Sequence, residues 1–154
     1  RLEGLSKNSP KRIILDKNLK ININSYIFST TNNKNTVIFY NHGPSKKIKL
    51  LKKKGVKLIK LPLNNNNLFD LKLVLKKIFV LGSRNLLVEG GKNLTSSFLR
   101  DRLFNEFYLF KSSKKLGSRG KLNVSRQLHQ LSFKYKNKRI INSFTANDIV
   151  KIYS

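Results

Sequence analysis

The stretch NLLVEGGKNLT at residues 85–95 joins an apolar run, a glycine pair and a polar segment. The apolar run predicts a buried strand that ends at Glu89, the glycine pair predicts a tight turn, and the residues after it predict a helix at about 94–103. A glycine pair between strand and helix lets the backbone approach a ligand closely, because neither residue carries a side chain. The helix N-terminus adds free N–H groups and a positive dipole, which suit a phosphate. The stretch therefore predicts either a pyrophosphate-binding turn or a plain tight turn, since Gly-Gly turns are common.

Polar residues surround this turn. Hydrogen-bond donors follow the glycines at Lys92, Asn93, Thr95, Ser96 and Ser97. Glu89 precedes them at the carboxyl end of the predicted strand, which is where open α/β sheets place their ligands. Its carboxylate could accept hydrogen bonds from sugar hydroxyls, cap a neighbouring loop or pair with a lysine, and the residues alone leave these three roles open.

Other β-branched runs predict strands at 12–16, 36–40 and 56–61, with a weaker candidate at 26–30. Apolar patterning predicts further strands at 104–110 and 148–153. Ser45 is the expected N-cap of a lysine-rich helix through Lys54, which Gly55 ends. A second helix is predicted from Leu71, where apolar residues recur at i, i+3, i+4 and i+7, to near Gly82. This order favours the α/β class, with a mixed, mostly parallel sheet, helices on both faces and antiparallel strands toward the C-terminus.

The chain is strongly basic. It has 25 Lys and 8 Arg against 7 acidic residues, a net charge of +26, and also 19 Asn. Such a charge attracts polyanions. However, Lys and Asn share A-rich codons, so an A+T-rich genome would produce the same composition, whatever the partner. The absence of cysteine excludes disulfides and thiolate metal sites, and it fits a reducing compartment.

Several motifs stand in the order seen in the reductase domain of the bacterial bifunctional riboflavin-biosynthesis deaminase/reductase, which this chain resembles. They are RIILD at 12–16, LVEGG at 87–91, Leu94, SFL at 97–99, FNEFYLF at 104–110 and KLG at 115–117. The resemblance covers most of the chain, and 86–120 is its specific part. It implies a dihydrofolate-reductase-like three-layer fold and a cytoplasmic enzyme.

The resemblance also implies an activity and a site. Members use NADPH to reduce 5-amino-6-(5-phosphoribosylamino)uracil, a phosphorylated aminopyrimidine, to its ribitylamino product. Glu89 matches an acidic substrate contact, and Arg1 matches a substrate-binding arginine or is a frayed basic end. The family's cofactor-binding segment matches Gly90, Gly91, Lys92, Asn93, Leu94, Thr95, Ser96 and Ser97. Lys17 stands where the family carries a small residue that touches the cofactor, so it either adds a phosphate contact or is a surface substitution. No catalytic acid or base and no metal ligand is expected.

The fold family implies further features. Its glycine pair is often joined by a cis peptide, so we expect one between Gly90 and Gly91. Residues 1–154 match only the C-terminal portion of the reductase domain, as a single partial domain whose first strands are missing. In the family a zinc deaminase domain lies upstream, and we expect a homodimer. Apolar runs such as 78–81 are too short to cross a membrane.

Two alternatives remain from the sequence. One is a basic RNA- or ribosome-associated binding protein, and the other is a related reductase that acts on another pterin or pyrimidine. Lysines on all faces would favour compositional drift. A single lysine stripe beside exposed Tyr26, Tyr40 or Tyr135 would favour nucleic acid.

Overall fold

A computed structural model describes residues 10–29, 35–114, 117, 128, 129, 131, 133, 135, 138–142 and 148–154. The chain divides into two compact units, Arg1–Ser83 and Arg84–Ser154. Each unit has its own three-stranded sheet. The first sheet is entirely parallel, and the second is entirely antiparallel.

The first unit alternates strands and helices. Its elements are β1 (Arg12–Leu15), α1 (Tyr26–Ser29), β2 (Thr36–Tyr40), α2 (Ser45–Lys53), β3 (Lys57–Lys60) and α3 (Leu71–Val80). The sheet order is β1-β2-β3, with Ile14 opposite Ile38 and Ile38 opposite Leu58. Parallel neighbours need a crossover between them, and α2 supplies the one between β2 and β3.

Helices cover both faces of this sheet because the side chains of β2 alternate. Ile38 packs in a cluster with Leu51 of α2. Val37 and Phe39 pack in a second cluster with Val74 and Ile78 of α3. A strand that is covered on both faces must be apolar at successive positions. The expected mixed α/β fold, with helices on both faces of a parallel sheet, is confirmed.

The second unit contains α4 (Lys92–Asp101), β4 (Phe107–Lys111), β5 (Lys138–Asn142) and β6 (Ile149–Tyr153). Its sheet order is β4-β6-β5, so β6 pairs with both neighbours. Leu99 of α4 and Tyr153 of β6 are buried in one cluster. The antiparallel strands expected near the C-terminus are therefore present.

Three local predictions are wrong. Residues 26–29 form one helical turn instead of a strand, since Phe28 bonds back to the Ser25 carbonyl and buries its ring against Leu19. Helix α2 begins at Ser45 itself, with Pro44 in the N-cap position and no side-chain cap. The strand that was predicted to end at Glu89 does not form, because the described residues offer residues 85–89 no backbone hydrogen-bond partner.

Candidate functional site

The N-terminus of α4 is the centre of the candidate site. Gly91 occupies the N-cap position, with φ −70° and ψ −179°, and no side chain caps the helix. The first helical hydrogen bond runs from the Thr95 N–H to the Gly91 carbonyl, at 3.1 Å. Within the described chain, the N–H groups of Lys92, Asn93 and Leu94 therefore have no acceptor. They are the donors that a helix offers to an anion.

The local charge also suits an anion. The first turn of α4 has no acidic residue, and it carries exposed Lys92. A cation near a helix N-terminus opposes the dipole by a few tenths of a kcal/mol or more. The same cation adds to the attraction for a phosphate. The arrangement therefore lowers the stability of α4 slightly and favours a negatively charged ligand.

The two glycines differ in the room around them. A Cβ placed on Gly91 would meet nothing within 4 Å. A Cβ placed on Gly90 would lie 2.9 Å from two side-chain carbons of Leu94. Gly90 is therefore required for packing against α4, whereas Gly91 leaves open space in front of the helix.

One hydrogen bond that the sequence did not indicate holds this turn. Thr95 Oγ1 donates to the Gly90 carbonyl at 3.1 Å. This hydrogen bond stabilises the turn and occupies the hydroxyl hydrogen of Thr95. The partly buried Ser96 and Ser97 lie one and two residues further along the helix. The only signal in the sequence for this hydrogen bond was a Ser or Thr a few residues after the glycine turn.

The Gly90–Gly91 peptide is trans, because no cis peptide occurs among the described residues. The cis prediction is wrong. A cis bond between non-proline residues costs about 3–4 kcal/mol, and it persists only where the surroundings enforce it. Both glycines are exposed, so tight packing does not enforce a cis bond between them.

The remaining predicted residues are Glu89, Lys17 and Arg1. Glu89 is exposed, directly before the glycines, and no described residue bonds to it. Lys17 belongs to the first unit, where its Nζ donates to the Asn67 carbonyl at 2.8 Å. Arg1 lies outside the described residues. The structure thus places residues 89–97 in one contiguous segment of the second unit.

The loop that contains Lys17 is well ordered by hydrogen bonds. The Lys17 carbonyl accepts the N–H groups of Asn41 and His42, both at 2.9 Å, so the loops after β1 and β2 are tied together. The Asp16 carboxylate accepts the N–H groups of Lys20 and Ile21. These strand ends lie at the edge where α/β sheets usually place ligands.

The first unit has a basic concavity in its surface. It has a volume of about 550 Å³, and Lys20, Lys46 and Lys47 contribute to its lining. No motif in the sequence had indicated it, because Lys20 lies in the loop after β1, whereas Lys46 and Lys47 lie on α2. The described residues contain no cluster of His, Cys, Asp and Glu that could hold a metal ion. No helix in that same part of the chain could span a membrane.

The donor set around Gly91 fits the diphosphate of a dinucleotide. It offers three unpaired backbone N–H groups and the Lys92 ammonium, with room in front for the ligand. An open helix N-terminus that follows a glycine is typical of sites that bind a phosphate group.

The comparisons give the family. The RibD C-terminal domain model matches residues 2–145, so the chain belongs to the RibD C-terminal domain family. It is 31% identical over 140 residues to the riboflavin biosynthesis protein RibD of Aquifex aeolicus strain VF5. This match covers 89% of the chain and 37% of the relative, so the chain spans less than half of that protein's length.

Solved structures share the fold. Acinetobacter baumannii RibD, form 1, matches 94% of the chain with a TM-score of 0.66 and 21% identity, and the match covers 37% of that protein. A pyrimidine reductase-like protein from Corynebacterium diphtheriae matches 99% of the chain with a TM-score of 0.69 and 15% identity, over 67% of its own length. At these identities the likeness concerns the fold.

Proposed function

We propose that residues 1–154 form the C-terminal portion of a reductase domain that reduces 5-amino-6-(5-phosphoribosylamino)uracil to its ribitylamino product, with NADPH as the reductant. The proposal combines membership of the RibD C-terminal domain family with the open N-terminus of α4. The second observation carries the proposal, because backbone N–H groups without an acceptor at a helix N-terminus are suited to bind a diphosphate.

The roles of the site residues follow from their atoms. The N–H groups of Lys92, Asn93 and Leu94 donate to the cofactor diphosphate, with the Lys92 ammonium beside them. The carboxylate of Glu89 accepts hydrogen bonds from hydroxyl groups of the substrate's sugar. Lys17 and Arg1 are assigned a phosphate contact and a substrate contact on the family resemblance. Ser96 and Ser97 are assigned to the cofactor segment on the same basis.

When bound, NADPH supplies a hydride to the sugar carbon that is attached to nitrogen. The protein's residues hold substrate and cofactor in contact and exclude water from them. We assign no catalytic acid or base to this chain. In the whole protein we also propose an upstream zinc deaminase domain and a homodimeric assembly.

The distribution of lysines favours this proposal over an RNA-binding role. Lysines lie on α2, which covers one face of the first sheet, and on α3, which covers the other. Tyr26 is exposed, but Tyr40 and Tyr135 are only partly so. Basic residues on opposite faces are typical of a composition-wide bias, whereas a nucleic-acid groove concentrates them on one face. The alternative is a reductase of the same fold that acts on another pterin or pyrimidine. A substrate screen distinguishes the two reductases.

The test uses the whole protein and follows NADPH oxidation with the aminopyrimidine substrate. Gly91→Val fills the open space before α4 without a clash inside the protein, since a Cβ there has no neighbour within 4 Å. We expect at least a tenfold rise in the KM for NADPH, together with a loss of several tenths of a kcal/mol in stability, because valine is a poorer N-cap than glycine. Glu89→Ala should raise the KM for the substrate and leave that for NADPH unchanged.

Glu106→Ala is the matched control for Glu89→Ala, because Glu106 is an exposed acid of the same unit that bonds to Tyr108. It should leave both KM values unchanged. Wild-type turnover in both site variants would contradict the site assignment.

A further inference from the structure

The turn after β1, at residues 16–21, contains a strained leucine. Leu19 has a φ of +50°, and its side chain is only 1% exposed. A bulky residue rarely adopts this left-handed conformation, because its Cβ comes too close to the following carbonyl oxygen. Such strain persists only where the surrounding contacts enforce it, and strained residues cluster at functional sites. The contacts that hold Leu19 therefore indicate what the turn does.

Asp16 supplies the first set of contacts. Its Oδ1 accepts the Lys20 N–H at 2.9 Å, and its Oδ2 accepts the Ile21 N–H at 2.7 Å. The Asp16 carbonyl accepts the Leu19 N–H at 3.1 Å, and the Asp16 N–H donates to the Phe39 carbonyl of β2 at 3.0 Å. The backbone and the side chain of Asp16 thus close the turn and attach it to the first sheet.

The loop after β2 supplies the second set. The N–H groups of Asn41 and His42 both donate to the Lys17 carbonyl at 2.9 Å. Gly43 lies so close to the turn that a Cβ there would be 2.5 Å from Cδ1 of Leu19. The turn is therefore held both by its own carboxylate and by a neighbouring loop.

The side chain of Lys17 is ordered by the loop after β3. Its Nζ donates to the Asn67 carbonyl at 2.8 Å. Asn64 orders that loop in turn, because its Oδ1 accepts the N–H groups of Asn66 and Leu68. An ammonium group has three N–H donors, and the described residues provide the Lys17 ammonium with this one acceptor. Its other donors are available to a ligand.

We propose that Asp16 is a positioning residue, whose carboxylate closes the turn and thereby holds Lys17 in place to bind a phosphate of the cofactor. This inference rests on the proposed function, in which Lys17 contacts a phosphate. A lysine that becomes ordered only on binding loses side-chain entropy at that moment. A lysine that is already ordered in the free protein does not, so the Asp16 hydrogen bonds increase the affinity for NADPH.

The test is a double-mutant cycle in the whole protein, with the Kd for NADPH measured by isothermal titration calorimetry. Asp16→Asn keeps the size of the side chain but replaces one accepting oxygen with an NH2 group. We expect Lys17→Ala to raise the Kd about tenfold and Asp16→Asn to raise it about fivefold, the usual cost of ordering one long side chain. The double variant should have the Kd of Lys17→Ala, because Asp16 acts through the lysine. The kcat with saturating NADPH should be unchanged in both single variants.

Asp70→Asn is the matched control, because Asp70 also accepts two backbone N–H groups and lies in the same unit. It should leave the Kd for NADPH unchanged. An equal rise in Asp16→Asn and Asp70→Asn would give Asp16 a merely structural role and overturn the inference. Effects of Asp16→Asn and Lys17→Ala that multiply in the double variant would overturn it as well.

The same variants separate this inference from the proposed function. A raised Kd in Lys17→Ala with a wild-type Kd in Asp16→Asn would overturn only the role of Asp16. A wild-type Kd in Lys17→Ala would contradict both the phosphate contact and the inference. If the wild-type protein bound NADPH but did not reduce the aminopyrimidine, the proposed reaction would be wrong, whereas a cycle with the expected Kd values would still support the role of Asp16.

Discussion

Helices α3 and α4 have ten residues each, and their N-termini are satisfied in opposite ways. Asp70 caps α3 with a carboxylate oxygen that accepts the N–H groups of Lys72 and Leu73, at 2.9 and 3.4 Å. Gly91 offers α4 no such oxygen. A side-chain cap stabilises a helix by about 1 kcal/mol. The N-terminal N–H groups of α3 are therefore bound by a side chain, whereas those of α4 have no side-chain acceptor.

Gly91→Asp would give α4 the kind of cap that α3 has. The new carboxylate would accept the first-turn N–H groups and repel a phosphate, so we expect the Kd for NADPH in the whole protein to rise at least about tenfold, or ~1.4 kcal/mol. Stability should rise by only a few tenths of a kcal/mol, because glycine is itself a tolerable N-cap. Isothermal titration calorimetry and thermal unfolding measure the two effects.

Asn105→Asp is the control for this added charge. Asn105 follows the C-terminus of α4, and this helix is about 15 Å long at 1.5 Å per residue, so the new charge is far from the N-terminus of α4. Unchanged NADPH affinity in Gly91→Asp would show that the N-terminus of α4 is not the diphosphate site.

Asp70→Ala makes the converse change and removes the cap of α3. We expect the free energy of unfolding to fall by about 1 kcal/mol, with NADPH affinity unchanged. Denaturant unfolding measures the loss. Ser45→Ala in α2 is the matched control, since that helix has no side-chain cap to lose. Equal losses in the two variants would mean that the Asp70 hydrogen bonds are not what stabilises α3.

The smallest expected effect concerns Glu106, an acidic residue of the second unit that accepts a hydrogen bond from a nearby tyrosine. The Tyr108 hydroxyl donates to a Glu106 carboxylate oxygen at 2.7 Å, and this hydrogen bond raises the pKa of Tyr108 above its ordinary value of about 10. The protonated phenol is the favoured form, so its contribution to stability is present below pH 10 and is lost as the pH rises through the raised pKa. Glu106→Ala should shift this titration to lower pH, as NMR of the tyrosine ring would show.

Elements whose pattern depends on local residues were predicted well. The i, i+3, i+4, i+7 spacing from Leu71 predicted α3, and the β-branched runs predicted β1 and β2. Gly55, with φ +78°, follows α2 as predicted. These features depend on side-chain periodicity and on backbone freedom, and both can be read within a short window of sequence.

Elements that depend on distant partners were predicted poorly. Residues 85–89 have a strand-like composition, but a strand also needs a neighbour to accept and donate its backbone hydrogen bonds. Residues 26–29 turn into a helix because Phe28 buries beside Leu19, which no local pattern indicates. The candidate site divides in the same way. The contiguous segment 89–97 could be predicted, whereas the contacts of Lys17 with Asn67 and with the loop after β2 could not.

By itself the sequence determined the α/β class, the order of most helices and strands, and the glycine pair ahead of an uncapped helix. These follow from residue spacing and from the backbone freedom of glycine, which act over a few residues. Only the tertiary structure decided that the strands form two sheets, one in each unit, that the glycine peptide is trans, and that residues 85–89 have no backbone partner among the described residues. Those outcomes depend on which distant backbone and side-chain atoms are available for pairing and packing, and this cannot be read within a short window of sequence.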